Sequence, residues 1–263
     1  MDLLITLFTI DTLVKIGFGT IIGICLGLTG VGGGVLIIPI LQVIFGMHIV
    51  MAVGTASLIS TFVKITAGIS HIRAGNVDWC SLKWMLLGSV PATLITTEII
   101  MYLNETPSTQ IIISHVIEVA VIIIMIFALY TMYKKYVSVE TVFKDKVYSS
   151  RMAVSSGVTC GSVLGATGVG GGVLLLPAFN TLLGLSIKKS IGSSIVMALV
   201  LSALTALNYS KGGQSDILTA ILISLGSFFG VPVSIRFLTK LSDKKIYLIT
   251  MIIIFISLLM MFL

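Results

Sequence analysis

A fourteen-residue segment, LGLTGVGGGVLIIP at residues 26–39, returns as LGATGVGGGVLLLP at 164–177, an offset of 138 positions. Eleven of the fourteen pairs are identical, and the other three exchange one aliphatic residue for another. Each copy crowds four glycines into five positions: Gly30, Gly32, Gly33 and Gly34, then Gly168, Gly170, Gly171 and Gly172. Each closes on a proline, Pro39 or Pro177. Both lie inside apolar stretches, where glycine runs and an interior proline oppose a continuous helix. A helix breaker repeated at equivalent places in two apolar halves points to a transporter's binding site.

The repeat extends beyond the motif. At the same offset of 138, Gly46 pairs with Gly184, Gly54 with Gly192, Gly75 with Gly213, Asp78 with Asp216, and Gly88-Ser89 with Gly226-Ser227. The chain therefore divides into a first repeat, 1–136, and a second, 151–263, joined by a polar linker, 137–150. Only 10% of the 263 residues are charged, against the ~25% of soluble domains. Apolar runs at 49–69, 82–103, 111–133, 191–208, 217–237 and 246–263 each approach the ~20 residues that span a hydrocarbon core. These features predict an all-α polytopic membrane protein, multi-pass in the cell membrane, with the lipid bilayer as its solvent.

The glycine regions, 12–46 and 152–184, are too long for one span. About 35 helical residues would reach ~52 Å at 1.5 Å each, against a core of ~30 Å. A broken hairpin, either re-entrant or made of two short spans, solves the length and consumes an even number of crossings. Three transmembrane helices follow it in each half, so the expected fold is two inverted structural repeats. Loop charge favours this arrangement. With the linker cytoplasmic, 13 of the 16 Lys and Arg fall inside, Lys15 and Lys211 fall outside, and Lys64 lies within a span. A single crossing at the glycine region would leave nine in and six out. Opposite sides for the two termini is one option that these counts leave open. Asp2 and Asp11, without a basic n-region, argue against a cleaved signal peptide.

In inverted-repeat transporters, half-helix N-termini point unpaired N–H groups at anionic substrate near the midplane. The candidate substrate-binding residues are accordingly Thr29, Gly30, Gly32, Gly33, Gly34, Thr167, Gly168, Gly170, Gly171 and Gly172. Close helix packing is the competing explanation for small residues here. Pro39 and Pro177 lie too deep for first-turn prolines and should kink the return helices. Thr55, Ser57, Ser193 and Ser194 open the next span of each half and either line an anion path or cap their helices. Ser60 and Thr61 follow one turn on.

Four ionisable residues are candidates for charge or proton coupling. Lys64 sits mid-span, where a lysine costs about 3 kcal/mol. It neutralises an anionic substrate, snorkels or pairs structurally. His71 ends the same span, and His115 and Glu118, one turn apart, form either a proton relay or a structural pair. Cys25, Cys80 and Cys160 are scattered, with no metal spacing, so no metal and no cofactor is expected. A net charge of +6 raises nucleic acid as a partner, but the basic residues sit in short connections, which argues against it. Small-residue faces permit a homodimer without requiring one.

The paired G-x-x-x-G-x-G-G-G-x-x-x-x-P segments at 27–39 and 165–177, with Gly54-Thr55 and Gly192-Ser193, resemble the TauE/SafE sulfite exporter family. The resemblance covers nearly the whole chain. It implies a secondary transporter of small sulfur-containing anions such as sulfite, sulfonates or thiosulfate, with the proton as coupling ion. A passive anion channel on the same scaffold is the alternative. Enzyme chemistry finds no support: the glycine run lacks the last glycine of G-x-G-x-x-G, and no P-loop, HExxH or Ser/His/Asp arrangement occurs.

Overall fold

The computed structural model describes residues 10–29, 34–137, 149–169, 172–238 and 243–262. In chain order the helices are α1 Ile10–Thr29, α2 Gly34–Val43, α3 Ile49–Arg73, α4 Trp79–Asn104 and α5 Pro107–Val137. The second half gives α6 Ser150–Thr167, α7 Leu175–Pro177 continuing as a π-helical turn Ala178–Leu182, α8 Ile187–Lys211, α9 Ile217–Leu238 and α10 Asp243–Met260. Among the described residues, five stretches have the length and composition to cross a membrane: Ile49–Arg73, Trp79–Asn104, Pro107–Lys134, Lys188–Lys211 and Ile217–Ser234. Each glycine region contributes two separate helices, α1 and α2 in the first half, α6 and α7 in the second.

The return segments differ from the expectation in one respect. Pro39 is the sixth residue of α2, inside the helix, whereas Pro177 falls in the only regular turn of α7. Directly after Pro177 the ladder widens, with Leu183 N–H donating to Ala178 O at 3.0 Å. The turn that follows is the same in both halves: Met47 N–H donates to Leu41 O at 3.0 Å, and Leu185 N–H to Phe179 O at 3.1 Å.

Helix ends follow the repeat closely. Gly75 and Gly213, at φ 67° and 69°, take the left-handed conformation that closes α3 and α8. Asn76 N–H then reaches His71 O at 3.0 Å, and Gln214 N–H reaches Tyr209 O at 2.8 Å, the 6→1 bond of a Schellman cap. Asp78 and Asp216 cap the next helices, receiving Ser81 N–H at 3.0 Å and Thr219 N–H at 2.9 Å.

The halves are joined by reciprocal contacts. On α1, methyl groups added to Gly19 and Gly23 would stand 2.2 Å from Ile223 O and 2.6 Å from Ser227 O of α9. On α6, Gly157 and Gly161 stand in the same relation to Met85 O and Ser89 O of α4, at 2.2 and 2.4 Å. Every residue in the second set is its counterpart in the first moved by 138 positions. Glycine is required here because the backbones touch. Along both pairs the residue numbers rise together, so α1 runs parallel to α9 and α6 parallel to α4. The equivalent helices α3 and α8 pack on each other the other way: Gly54 meets Tyr209, Thr61 meets Ser202 and Gly68 meets Leu199. They are antiparallel.

Candidate functional site: the meeting of the two helix breaks

The break in the second half begins with Gly168 in the left-handed region at φ 62°, its N–H donating to Leu164 O at 2.8 Å. The first residue of α2 lies directly against it. A methyl group on Gly34 would stand 2.5 Å from Gly168 O and 2.9 Å from Val169 Cα. The N-terminus of a ten-residue helix from one half therefore abuts the C-cap of a broken helix from the other. The first N–H groups of α2 have no partner within their own helix, and the macrodipole makes that end positive.

The third wall comes from α3. A methyl group on Gly168 would be 3.1 Å from the Ser57 hydroxyl oxygen and 3.2 Å from Val53 O. Ser57 is fully buried, and its hydroxyl has no hydrogen-bond partner among the described residues. Such a group forfeits about 1–3 kcal/mol relative to a satisfied one, so it calls for an explanation.

From Ser57 a polar stripe runs along α3 through Ser60 and Thr61 to Lys64, at helical spacing. Thr61 Oγ1 donates to Ser57 O at 2.7 Å and lies 3.2 Å from Ser202 Oγ of α8. The half-buried Lys64 donates to Ser60 Oγ. No carboxylate pairs with its ammonium among the described residues, whose two ion pairs are Lys15–Asp11 and Lys189–Asp78. On α8 the facing stripe is Ser202, Thr205 and Tyr209. Thr205 is fully buried and its hydroxyl, like that of Ser57, is unpartnered. The Tyr209 hydroxyl donates to Gly165 O at 3.2 Å, satisfying a carbonyl in the last turn of α6.

Other candidates occupy different surroundings. Thr55 and Ser193 hydroxyls accept backbone N–H bonds from Asp216 and Asp78, both at 2.9 Å, so each fastens the loop of the opposite half. Thr167 folds back on its own backbone, donating to Val163 O at 2.7 Å and accepting from Val169 N–H at 3.2 Å. Ser194 donates to Ile191 O at 2.9 Å. Thr29 closes α1, Gly172 opens the turn before α7, and Gly30, Gly32, Gly33, Gly170 and Gly171 lie outside the described residues.

His71 ends α3 with its Nδ1 buried and unpartnered. His115 is exposed, its Nδ1 2.8 Å from Ile111 O. Glu118 instead receives Gln42 Nε2 at 3.5 Å and lines a cavity with Gln42, His48 and Ser114 at the turn between α2 and α3. The histidine and the carboxylate are thus engaged with different partners. Among the described residues no three His, Cys, Asp or Glu side chains gather at metal-binding distance.

Sequence reasoning passed over Thr205, Tyr209 and Ser202. The repeat offset held a signal for two of them, since Tyr209 aligns with His71 and Ser202 with Lys64, both already singled out.

Known proteins resemble this chain along most of its length. The family described as Sulfite exporter TauE/SafE matches residues 15–261. The chain is 24% identical over 242 residues to "Probable membrane transporter protein YjnA" of Bacillus subtilis, covering 91% of this chain and 95% of that one. It is 22% identical over 249 residues to "Probable membrane transporter protein YunE" of the same organism, with 89% and 91% covered. A "Probable membrane transporter protein" of Xylella fastidiosa is 25% identical over 241 residues, with 90% and 89% covered. No solved structure matches the chain.

Proposed function

This chain belongs to the TauE/SafE sulfite exporter family, and from that premise we propose that it is a secondary transporter of small sulfur-containing oxyanions. It is a membrane transporter: its relatives are named probable membrane transporter proteins, and five of its described stretches can cross a bilayer by length and composition. Sulfite, sulfonates and thiosulfate are the substrates proposed, moved by alternating access around the paired helix breaks. One observation carries this reading: Gly34 at the start of α2 sits against Gly168, beside the buried Ser57 hydroxyl, which is unpaired among the described residues. A helix N-terminus and a hydroxyl unpartnered among the described residues suit an oxyanion.

Support for oppositely inserted halves comes from α3 and α8, which are equivalent by the 138-residue offset yet antiparallel. The loop charges point the same way. Coupling to protons is proposed through the ionisable group of Lys64, His71, His115 or Glu118.

Proteoliposomes test the proposal. The wild-type protein should move sulfite in response to an imposed proton gradient. Gly33→Val and Gly171→Val should abolish that movement while folded protein still reaches the membrane; unchanged transport in both would remove the glycine breaks as the site. Flux that ignores the gradient and runs far above ~10³ per second would mark a passive anion channel on the same scaffold.

A further inference from the structure

We infer that the oxyanion is held on one side only, in a single polar box at the second half's break, and that the equivalent box of the other break is apolar. The inference rests on the transporter reading above and assigns its binding groups. The box is walled by the Ser57 hydroxyl, the Thr205 hydroxyl and the N-terminus of α2 at Gly34.

Three observations place these groups together. Ser57 and Gly34 both touch Gly168: a methyl group on Gly168 would stand 3.1 Å from the serine oxygen, and one on Gly34 would stand 2.5 Å from the Gly168 carbonyl oxygen. Thr205 lies one turn from Ser202 and one from Tyr209 on α8. Because α3 and α8 are antiparallel, the turn between the Thr61–Ser202 contact and the Gly54–Tyr209 contact holds Ser57 on one helix and Thr205 on the other. Tyr209 closes the far end by bonding Gly165 O. Both hydroxyls are 0% exposed and unpartnered among the described residues. Two hydroxyls unpaired among the described residues at one level of the α3–α8 seam, one of them beside Gly168, mark a place where a ligand supplies the missing acceptor.

The sign of the ligand follows from its surroundings. Hydroxyl oxygens alone would suit a cation equally well, but the α2 dipole end and Lys64 do not. Lys64 bonds Ser60, so its side chain leans back along α3 toward Ser57, and no carboxylate offsets its charge among the described residues. The occupant is therefore a small oxyanion.

The mirror position lacks these groups. Moved by 138, Ser57 becomes Ile195, Ser60 becomes Ala198, Thr61 becomes Leu199 and Thr205 becomes Ala67. The ten-residue α2 is replaced by the three-residue α7, which runs straight into a π turn. The scaffold is nearly two-fold, but the chemistry is one-sided.

Isothermal titration of the purified full-length protein with methanesulfonate and with sulfite tests this. One anion should bind per chain. Ser57→Ala and Thr205→Val should each weaken binding about tenfold, the effect of losing one hydrogen bond to a charged group. Ser57→Thr, which keeps the hydroxyl, should stay within about threefold of wild type, and so should Ile195→Val on the mirror side. A stoichiometry of two, or wild-type affinity in both hydroxyl deletions, overturns the one-sided box while leaving the transport reading intact. Failure of the wild-type protein to bind either anion overturns both. Thr205→Ala replaces the valine variant if that does not fold, and should weaken binding about tenfold where the box is correct; wild-type affinity there would overturn it.

Discussion

Single residues carry the electrostatics of this protein. Lys64 is placed more than eight residues from either end of α3, and its hydrogen bond among the described residues is to a neutral serine. A mid-span ammonium without a counter-charge costs about 3 kcal/mol on insertion scales, so packing alone would select a methionine there. Lys64→Met should therefore leave the melting temperature equal or higher, while anion transport falls at least tenfold. Melting in detergent and flux in liposomes, measured on one preparation, separate the two effects; transport at the wild-type rate would make the lysine structural. Ser57 was legible as a candidate because it opens a span next to a repeated glycine. Its lack of a partner among the described residues was not, because its surroundings are set by Gly168, 111 positions away in the chain. Thr55 shows the converse: its hydroxyl looked available in the sequence, and its partner, Asp216 N–H, is 161 positions distant. Tyr209 carries a further test. Its hydroxyl satisfies a carbonyl that the broken α6 leaves free, so Tyr209→Phe should lower stability by about 1–3 kcal/mol in a denaturation series.

Helices in this fold are specified as much by where they touch as by where they turn apolar. Five of the six expected spans were readable from run length to within a few residues, since an apolar run of roughly 20 residues has little alternative in lipid; the sixth, 246–263, falls on α10, which is not among the five stretches long and apolar enough to cross. The end of α6 at Gly168 was readable from glycine density; residues 30–33, where the first break is expected, lie outside the described residues. Which helices pair was not, because close-approach glycines say that a partner exists and not which one. Gly161 and Gly17 make the distinction testable. Added to Gly161 of α6, a methyl group would stand 2.4 Å from Ser89 O, whereas at Gly17 of α1 it would meet nothing within 4 Å. Gly161→Ala should force α6 off α4 and lower the melting temperature by several degrees. Gly17→Ala should raise stability by about 0.5–1 kcal/mol, the ordinary gain of alanine over glycine within a helix. Equal responses at the two sites would mean that the seam is looser than its geometry.

At the level of the whole molecule, the two sequence halves are bound by charge as well as by glycine contact. Asp78 caps α4 in the first half and lies 3.7 Å from the Lys189 ammonium of the second. Burial pushes the Asp78 carboxyl up, but the two hydrogen bonds from Ser81 and the nearby ammonium outweigh it and hold it below the ordinary 3.8. A carboxyl with a depressed folded-state value stabilises the fold above 3.8 and loses that contribution as pH falls through the lower value. Wild-type melting should therefore drop on acidification in this window by more than Asp78→Asn does; parallel curves would assign the acid sensitivity elsewhere. The internal repeat was plain in the sequence. The crossing of partners between halves was not, because no local pattern encodes contacts some 200 residues apart, such as that of Gly19 with Ile223. That crossing also bears on ancestry. Neither α1 nor α6 has its glycine seam completed within its own half, so a lone copy of the repeat would expose two raw backbone surfaces to lipid. A single-copy forebear could cover them by docking on a sister molecule. Gene fusion would then have made that partnership permanent, freeing one copy to keep Ser57 while the other drifted to Ile195.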